Sequence, residues 1–151
     1  DLGVSYSHAP HYRETAAAAI LEMRRQVPQD VFDAEGLLQK GLLLRHLILP
    51  GQYRDSMRIL DWVRASLGEE TLVSLMSQYT PLYRAKEIKA LSRKLTTFEY
   101  EKVIDYFFEI GLKNGFMQKR SSATGEYTPT FDLSGVVAAE SFMKREENHH
   151  D

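Results

Sequence analysis

Two apolar runs dominate the hydrophobic pattern of the chain. The first, "GLLLRHLILPG" (41–51), encloses the adjacent pair Arg45 and His46, and the second is "TLVSLMSQYTP" (71–81). Neither run alternates polar and apolar residues as a surface strand does. Both predict strands that are covered on two faces, as in a parallel sheet with helices on each side. Because burying an unpaired charge costs several kcal/mol, the surroundings of Arg45 and His46 become the central question.

Two segments around these runs have apolar residues at helical spacing. The segment "ETAAAAILEMRRQV" (14–27) stops at Pro28, which cannot continue a helix. The segment "YRDSMRILDWVRASL" (53–67) is followed by Gly68, a typical helix terminator. The predicted inward-facing residues are Ala16, Ile20, Met23 and Val27 in the first helix and Ile59, Leu60, Val63 and Leu67 in the second.

A third helix is predicted in "TTFEYEKVIDYFFEIGLKNG" (96–115). Thr96 and Glu99 have the spacing of a capping box, in which each residue bonds the backbone N–H of the other. The helix therefore begins just after Thr96. Its predicted apolar stripe consists of Tyr100, Val103, Ile104, Phe107 and Phe108.

The remaining segments predict smaller elements. "VFDAEGLL" (31–38) is typical of a small hairpin, and the basic segment "YRAKEIKALSRKL" (83–95) predicts a surface connection with a short helix. "FMQKRSS" (116–122) predicts a last short strand, and "ATGEYTPTFD" (123–132) predicts a loop. The charged tail, residues 135–151, is expected to be flexible.

The alternation of helices and strands indicates an α/β fold with parallel strands joined by crossovers. A length of 151 residues is typical of one domain, and 43% hydrophobic residues are enough for a globular core. Two or three strands are few for a parallel sheet, which needs cover on both faces and further neighbours. We therefore expect part of the sheet to lie outside this chain.

Charge and cysteine content narrow the classes of function. A net charge of −2 gives no electrostatic basis for binding nucleic acid or an anionic membrane. No apolar run approaches the ~18 residues that a transmembrane helix needs. The chain has no cysteine, which excludes disulfides, thiolate metal sites and a cysteine nucleophile within it. A cytoplasmic location is the default expectation.

Several blocks together resemble one family. "MRRQV…GLLLRHLILPG", "SMRILDWV", "SLMSQYTPLYRA", "LTTFEYEKVIDYFFEIGL" and "GFMQ…SS…YTPTFD" occur in the order found in radical S-adenosylmethionine (SAM) proteins similar to pyruvate formate-lyase activating enzyme. The resemblance implies that residues 1–134 are the C-terminal portion of a partial (β/α) TIM-like barrel, followed by a helical and loop extension. Residues 135–151 are the tail.

The family's defining motif is absent from the chain. In the family, three cysteines spaced C-x3-C-x2-C hold a [4Fe–4S] cluster that binds SAM, whereas this chain has no cysteine. The resemblance therefore implies a fragment of a radical SAM enzyme whose parent binds SAM and the cluster. We expect neither to bind fully to this chain, which is inert alone. Its expected partners are the missing N-terminal half of the barrel, a protein substrate of the parent, and further copies of itself.

The resemblance also assigns candidate binding residues. In a barrel of parallel strands, function gathers at the carboxyl ends of the strands. Arg45 matches a polar residue near SAM on the fifth barrel strand, where a guanidinium can hold a carboxylate or ribose oxygen. The alternative is that Arg45 pairs with a buried acidic residue across the barrel. His46 must face the opposite way, toward the helices, and is expected to be a hydrogen-bonded structural histidine.

Ser77, Gln78 and Tyr79 end the second strand, which approaches the adenine of SAM in the family. A Gln amide or a backbone group can bind the purine edge, and a tyrosine ring can stack on it. The alternative is ordinary capping of the strand end. No catalytic residue and no metal ligand is assigned in this chain.

A second class of function remains open from the sequence. The chain can instead be a non-catalytic α/β interaction domain, in which Arg45 and His46 are structural and the aromatic helix 97–111 binds a protein partner. A C-x3-C-x2-C motif in the reading frame directly upstream favours the radical SAM interpretation, and its absence favours the interaction domain.

Absence of cysteine generates a direct prediction about iron. Anaerobic reconstitution of the chain with iron and sulfide is expected to leave no stable cluster, because no thiolate is present to hold one. Absorbance in the charge-transfer region and iron analysis measure this. A stable brown species with about four irons per chain would show that other ligands replace the thiolates.

Overall fold

The computed structural model describes residues 2–117, which form a mixed α/β fold. A two-stranded antiparallel hairpin lies beside a three-stranded parallel sheet. In chain order the elements are α1 (Leu2–Ser7), α2 (Tyr12–Gln26), β1 (Val31–Phe32), β2 (Leu38–Lys40), β3 (Leu43–Leu47), α3 (Tyr53–Leu67), β4 (Leu72–Met76), a 3-10 helix (Tyr83–Glu87), α4 (Thr97–Glu109) and β5 (Gly115–Met117).

The parallel sheet has the strand order β3-β4-β5. Leu43 of β3 lies opposite Leu72 of β4, and Leu47 lies opposite Met76. Ser74 lies opposite Phe116 of β5. The predicted α/β class with parallel strands is therefore confirmed. The described strands form an open sheet, and a barrel stays a prediction.

The hydrophobic core lies between the sheet and the two helices α3 and α4. Side chains of both helices pack on one face of β3 and β4, where they exclude water from a large apolar surface. Its buried members are Ile48, Leu60, Val63, Val73, Leu75, Leu95, Tyr100, Val103, Phe107 and Leu112. The core thus holds β4 tightly and gives the sheet one covered face.

The opposite face of the sheet is open within the described part of the chain. On the two outer strands, Leu43 is 40% exposed, Phe116 is 53% exposed, and Arg45 also faces solvent, whereas Leu72 of the central strand is buried. The expectation that helices cover both faces of β3 is therefore wrong for residues 2–117. An apolar run predicts a strand with apolar residues on both faces. It does not specify which other elements cover those faces.

Most predicted elements are confirmed, including the hairpin and the short helix in the basic connection. One residue of the predicted stripe of α4 is wrong: Phe108 is 57% exposed, and its ring makes an edge contact with Phe107 at 5.2 Å between centroids. Helix α1 was not predicted. Of the predicted last strand, only Phe116 and Met117 lie in the described part. Residues 118–122, the predicted loop 123–132 and the tail 135–151 lie outside the described residues.

A carboxylate joins α2 and the hairpin to the beginning of β3. Asp30 accepts two hydrogen bonds from the Arg24 guanidinium, at 3.0 and 3.3 Å, and one from the Leu42 N–H at 2.9 Å. Gly41 lies so close that a Cβ atom there would be 2.7 Å from the Asp30 carboxylate, so only glycine fits without a shift. We call this group of contacts the Asp30 junction.

A second carboxylate fixes the beginning of α4. Glu99 closes the predicted capping box with Thr96, and it also accepts the Gly51 N–H at 2.6 Å and two bonds from the Arg93 guanidinium, at 2.8 and 2.7 Å. Glu99 is only 5% exposed. The Arg93 guanidinium, together with these N–H donors, holds the pKa of Glu99 well below its usual range. We call this group of contacts the Glu99 junction.

Replacing this carboxylate tests how much the junction stabilises the fold. Glu99→Gln is expected to lower the free energy of unfolding at pH 7 by about 2–3 kcal/mol, because charge-assisted hydrogen bonds are lost. Since the folded-state pKa is depressed, this contribution is present above about pH 4.3 and decreases as the pH falls toward the folded-state value. Urea unfolding at pH 7 and pH 3 measures both effects.

The matched control is Glu101→Gln, an exposed carboxylate two residues further along the same helix. It is expected to change stability by less than about 0.5 kcal/mol. Equal effects of the two substitutions, or a difference that does not decrease at pH 3, would contradict the role given to Glu99.

Candidate functional site

The carboxyl ends of β3 and β4 form the candidate site, because the predicted binding residues lie there. After β3 the chain turns at Pro50 and Gly51, with Gly51 at φ 76°, and then enters α3. The left-handed backbone conformation suits glycine, and it lets the Gly51 N–H reach Glu99. The Glu99 junction therefore fixes the shape of this end of the sheet.

Arg45 lies on the open face of the sheet. Its guanidinium donates a hydrogen bond to the Met76 sulfur at 3.2 Å, and its side chain is exposed. Among residues 2–117 no carboxylate forms an ion pair with Arg45. The predicted alternative, a buried acidic partner, is thus not found in the described part. A thioether is a weak acceptor, so the remaining donors of the guanidinium are free to hold a ligand oxygen.

The three residues after β4 have different environments. Ser77 is half-buried, Gln78 is exposed and Tyr79 is half-buried. The Tyr79 hydroxyl donates to the Leu91 carbonyl at 2.8 Å, which ties the strand end to the connection before α4. Burial raises the pKa of Tyr79, and nearby Tyr6 adds to the shift. Because Arg45 contacts Met76, the residue just before Ser77, the predicted binding residues do lie in one region.

His46 faces the helices, opposite to Arg45, as strand alternation predicts. Its Nε2 atom lies 2.9 Å from the Ser56 hydroxyl of α3. Burial lowers the pKa of His46, while the nearby Asp55 opposes that shift. Ser56 is 2% exposed, so its hydroxyl is inaccessible to a substrate and the pair is a structural contact. Sequence reasoning missed Ser56, although its place on the inward face of α3 was a usable signal.

A cleft of about 750 Å³ lies between α2 on one side and β3 with α3 on the other. Its walls are largely apolar, and Tyr6 of α1 and His46 also line it. Charged residues at its border are Arg13 and Glu14 of α2, Arg45 of β3, and Asp55 and Arg58 of α3. Such a volume is within the range of ligand pockets. Prominent apolar residues are Ala16, Ala17 and Ile20 of α2, Leu44 of β3, and Ile59 and Trp62 of α3. We call this space the α2–β3 cleft.

Residues 2–117 show neither a metal-binding cluster nor a membrane-spanning helix. No group of three or more histidine, aspartate or glutamate side chains in this range is arranged to hold a metal ion. In the same range no helix combines the length and the apolar character that crossing a bilayer requires. The surfaces in this range that can bind a ligand or a partner are therefore the open sheet face with Arg45 and the α2–β3 cleft.

Similarity to known proteins is limited. No protein-family model matches the chain, and no solved structure matches it. Among curated proteins, an "Uncharacterized protein MJ0674" of Methanocaldococcus jannaschii is 33% identical over 79 residues. The match covers 50% of this chain and 23% of the relative, so the chain spans about a quarter of the relative's length. The relative's name states no activity, and the match assigns no function.

The half-buried His46 generates a prediction about pH. Below about pH 6.5 the unfolded chain takes up a proton on His46 that the folded chain resists, so stability falls as the pH drops. His46→Gln is expected to lower the free energy of unfolding by about 1 kcal/mol at pH 7.5 through loss of the Ser56 contact. It is also expected to make stability less dependent on pH between 7.5 and 5.5.

Thermal melts at several pH values measure this, with His8→Gln as the control because His8 is exposed. The control is expected to keep the pH dependence of the unmodified chain. An unchanged pH dependence in His46→Gln would show that another group causes it.

Proposed function

We propose that this chain is a fragment of a radical SAM enzyme resembling pyruvate formate-lyase activating enzyme. In this proposal the chain contributes the far wall of the pocket for SAM and substrate. The parent enzyme abstracts a hydrogen atom from its substrate, which for such activating enzymes is a protein. The sequence blocks quoted above support the proposal, together with the parallel β3-β4 pair that they predicted.

The single observation that carries the proposal is the position of Arg45. Arg45 projects from the uncovered face of a parallel sheet, beside the carboxyl end of β4, and no carboxylate among the described residues neutralises it. An exposed cation on the face of a parallel sheet is well placed to bind an anionic group. The carboxylate of SAM, or a ribose oxygen, is the proposed ligand.

The segment after β4 supplies the proposed contacts to the adenine. Ser77, Gln78 and Tyr79 follow Met76, which contacts Arg45, and this proximity in the chain supports their assignment to the same ligand. The Tyr79 hydroxyl bonds the Leu91 carbonyl, and this contact holds the ring in place. Tyr79 then offers a ring edge or face, while polar groups of this segment bind the purine.

A [4Fe–4S] cluster does not fit this chain, because no cysteine is present to ligate iron. The proposal therefore requires the N-terminal half of the barrel as the partner that binds the cluster. The isolated chain is inert in this proposal and covers the exposed edge of β3 by forming a homodimer or a higher oligomer. Nucleic acid and membranes are not among the proposed partners, and the proposed location is the cytoplasm.

A second candidate is a non-catalytic interaction domain, and the surface of α4 favours it. Phe98 and Phe108 are 59% and 57% exposed. Phe98 makes an edge contact with Tyr53 at 6.2 Å between ring centroids, and the Lys102 ammonium lies 5.7 Å from the Phe98 ring centroid. Aromatic side chains are enriched at protein interfaces. The reading frame upstream distinguishes the two candidates through the C-x3-C-x2-C motif.

The proposed role of Arg45 is tested in the full-length enzyme. Arg45→Leu is expected to weaken SAM binding by about 1.5–3 kcal/mol, the usual contribution of a hydrogen bond to a charged group. The melting temperature is expected to stay unchanged, because the side chain is exposed and the neighbouring strand residues are already leucine. Calorimetric titration with SAM and thermal melts give the two measurements.

His46→Leu is the control on the other face of the same strand. It is expected to lower the melting temperature and to leave SAM affinity nearly unchanged, because His46 contacts Ser56 of α3. If Arg45→Leu melts far lower and yet binds SAM normally, Arg45 is a structural residue and the assignment of this strand to the pocket is wrong.

A further inference from the structure

β3 is an edge strand within the described part of the chain. It pairs with β4 on one side, and no strand among residues 2–117 pairs with its other side. The backbone N–H and C=O groups along Leu43–Leu47 that point away from β4 therefore lack a strand partner in this range. Such an edge readily accepts another strand, because each new backbone hydrogen bond satisfies a polar group.

The α2–β3 cleft lies against this edge. Helix α2 has fifteen residues and none of them is buried, although Ala16 and Ile20 face the cleft. Leu44 of β3 and Trp62 of α3 face it from the other side. A helix with an apolar stripe normally buries that stripe on a sheet or on another helix. In the described structure, this stripe of α2 is only half-buried and faces the cleft.

Contacts at the two ends of α2 give its direction relative to the sheet. Near its beginning, the Gln52 amide donates to the Tyr6 hydroxyl at 3.2 Å, which holds α1 at the carboxyl end of β3. Near its end, Arg24 bonds Asp30, which accepts the Leu42 N–H at the amino end of β3. Helix α2 thus runs antiparallel to β3, as the helix of a β-α-β crossover does, and the strand before such a helix lies parallel to the strand after it.

We propose that the α2–β3 cleft is the docking site of a single β-strand that runs parallel to β3. The strand belongs to the N-terminal half of the protein, and for the identity of that partner the inference rests on the proposed function. A strand of five residues extends about 16 Å and lies about 4.8 Å beyond β3, with its apolar side chains directed at α2 and α3. Its carboxyl end lies beside α1.

Two other occupants fit the observations less well. A small polar molecule needs buried polar groups to bind, but most of the charged side chains that line the cleft are exposed. The half-buried His46 already contacts Ser56. A second copy that pairs through its own β3 edge, as proposed above for the isolated chain, also satisfies the edge. It brings a whole sheet with its helices, however, and not the one strand that the direction of α2 indicates. A single strand satisfies the edge and fills the space beneath one α2.

The experiment supplies such a strand directly. A segment of alternating valine and threonine, Lys-Val-Thr-Val-Thr-Val, is joined ahead of residue 1 of the full chain. The matched control has proline in place of each threonine, because proline cannot donate to the ladder. The strand variant is expected to melt about 5 °C higher than the control. Exchange of the Leu43–Leu47 amides is expected to be at least about tenfold slower, measured at a concentration where both proteins are monomeric.

Two substitutions on α2 locate the added strand. Ile20→Asp, which lies in the cleft, is expected to abolish the gain in melting temperature. Leu21→Asp is the control, because Leu21 is 44% exposed and outside the cleft, and it is expected to leave the gain intact. If the extended chain cannot be recovered, the same strand as a free peptide, added to the unmodified chain, is expected to slow the same amides.

Equal melting and equal exchange in the strand and proline variants would overturn the proposal. Slow exchange of the β3 amides only at concentrations where the unmodified chain forms dimers by light scattering would assign the edge to a second copy instead. Neither measurement involves SAM, so failure of the strand to dock and failure of the radical SAM proposal give different results.

Discussion

The carboxylate of Glu99 determines the geometry at the carboxyl end of the sheet. It is a single buried charge that receives N–H and O–H donors from the turn after β3, from the connection before α4 and from the helix cap itself. The turn is distant in sequence from the other two segments, because Gly51 lies 48 residues before Glu99. One carboxylate therefore joins this turn to the beginning of α4. Since Gly51 and Thr96 are both held by Glu99, the β3–α3 turn and the first turn of α4 keep one relative position.

The two faces of the sheet are packed differently. The residues that stabilise the fold lie on one face, and the candidate binding residue Arg45 lies on the other. Buried side chains of α3 and α4 complete the core on one face, with Leu60, Val103 and Phe107 fully enclosed. Among residues 2–117, the open face, the edge of β3 and the cleft are less enclosed, although Leu72 on the open face is buried. Substitutions on the open face can therefore change binding without a large loss of stability, whereas those on the helix face act on the core first.

Local signals in the sequence predicted the local structure well. The Thr96–Glu99 spacing predicted the cap of α4, and the strand period predicted that Arg45 and His46 face opposite sides, because both features depend on residues close in sequence. What could not be predicted depends on distant contacts. Nothing near Glu99 in sequence indicates that Gly51 completes its bonds, and nothing in an apolar run says whether a face is covered.

The Asp30 junction has a consequence for how this fold can vary. The Leu42 N–H donates a hydrogen bond to the Asp30 carboxylate. The two ends of the segment that contains the hairpin of residues 31–40 are therefore held next to each other. Because Arg24 holds the same carboxylate, the register of α2 with β3 is set independently of that hairpin. The hairpin can therefore differ in length or be replaced in related sequences, while α2 before it and β3 after it keep their relative position.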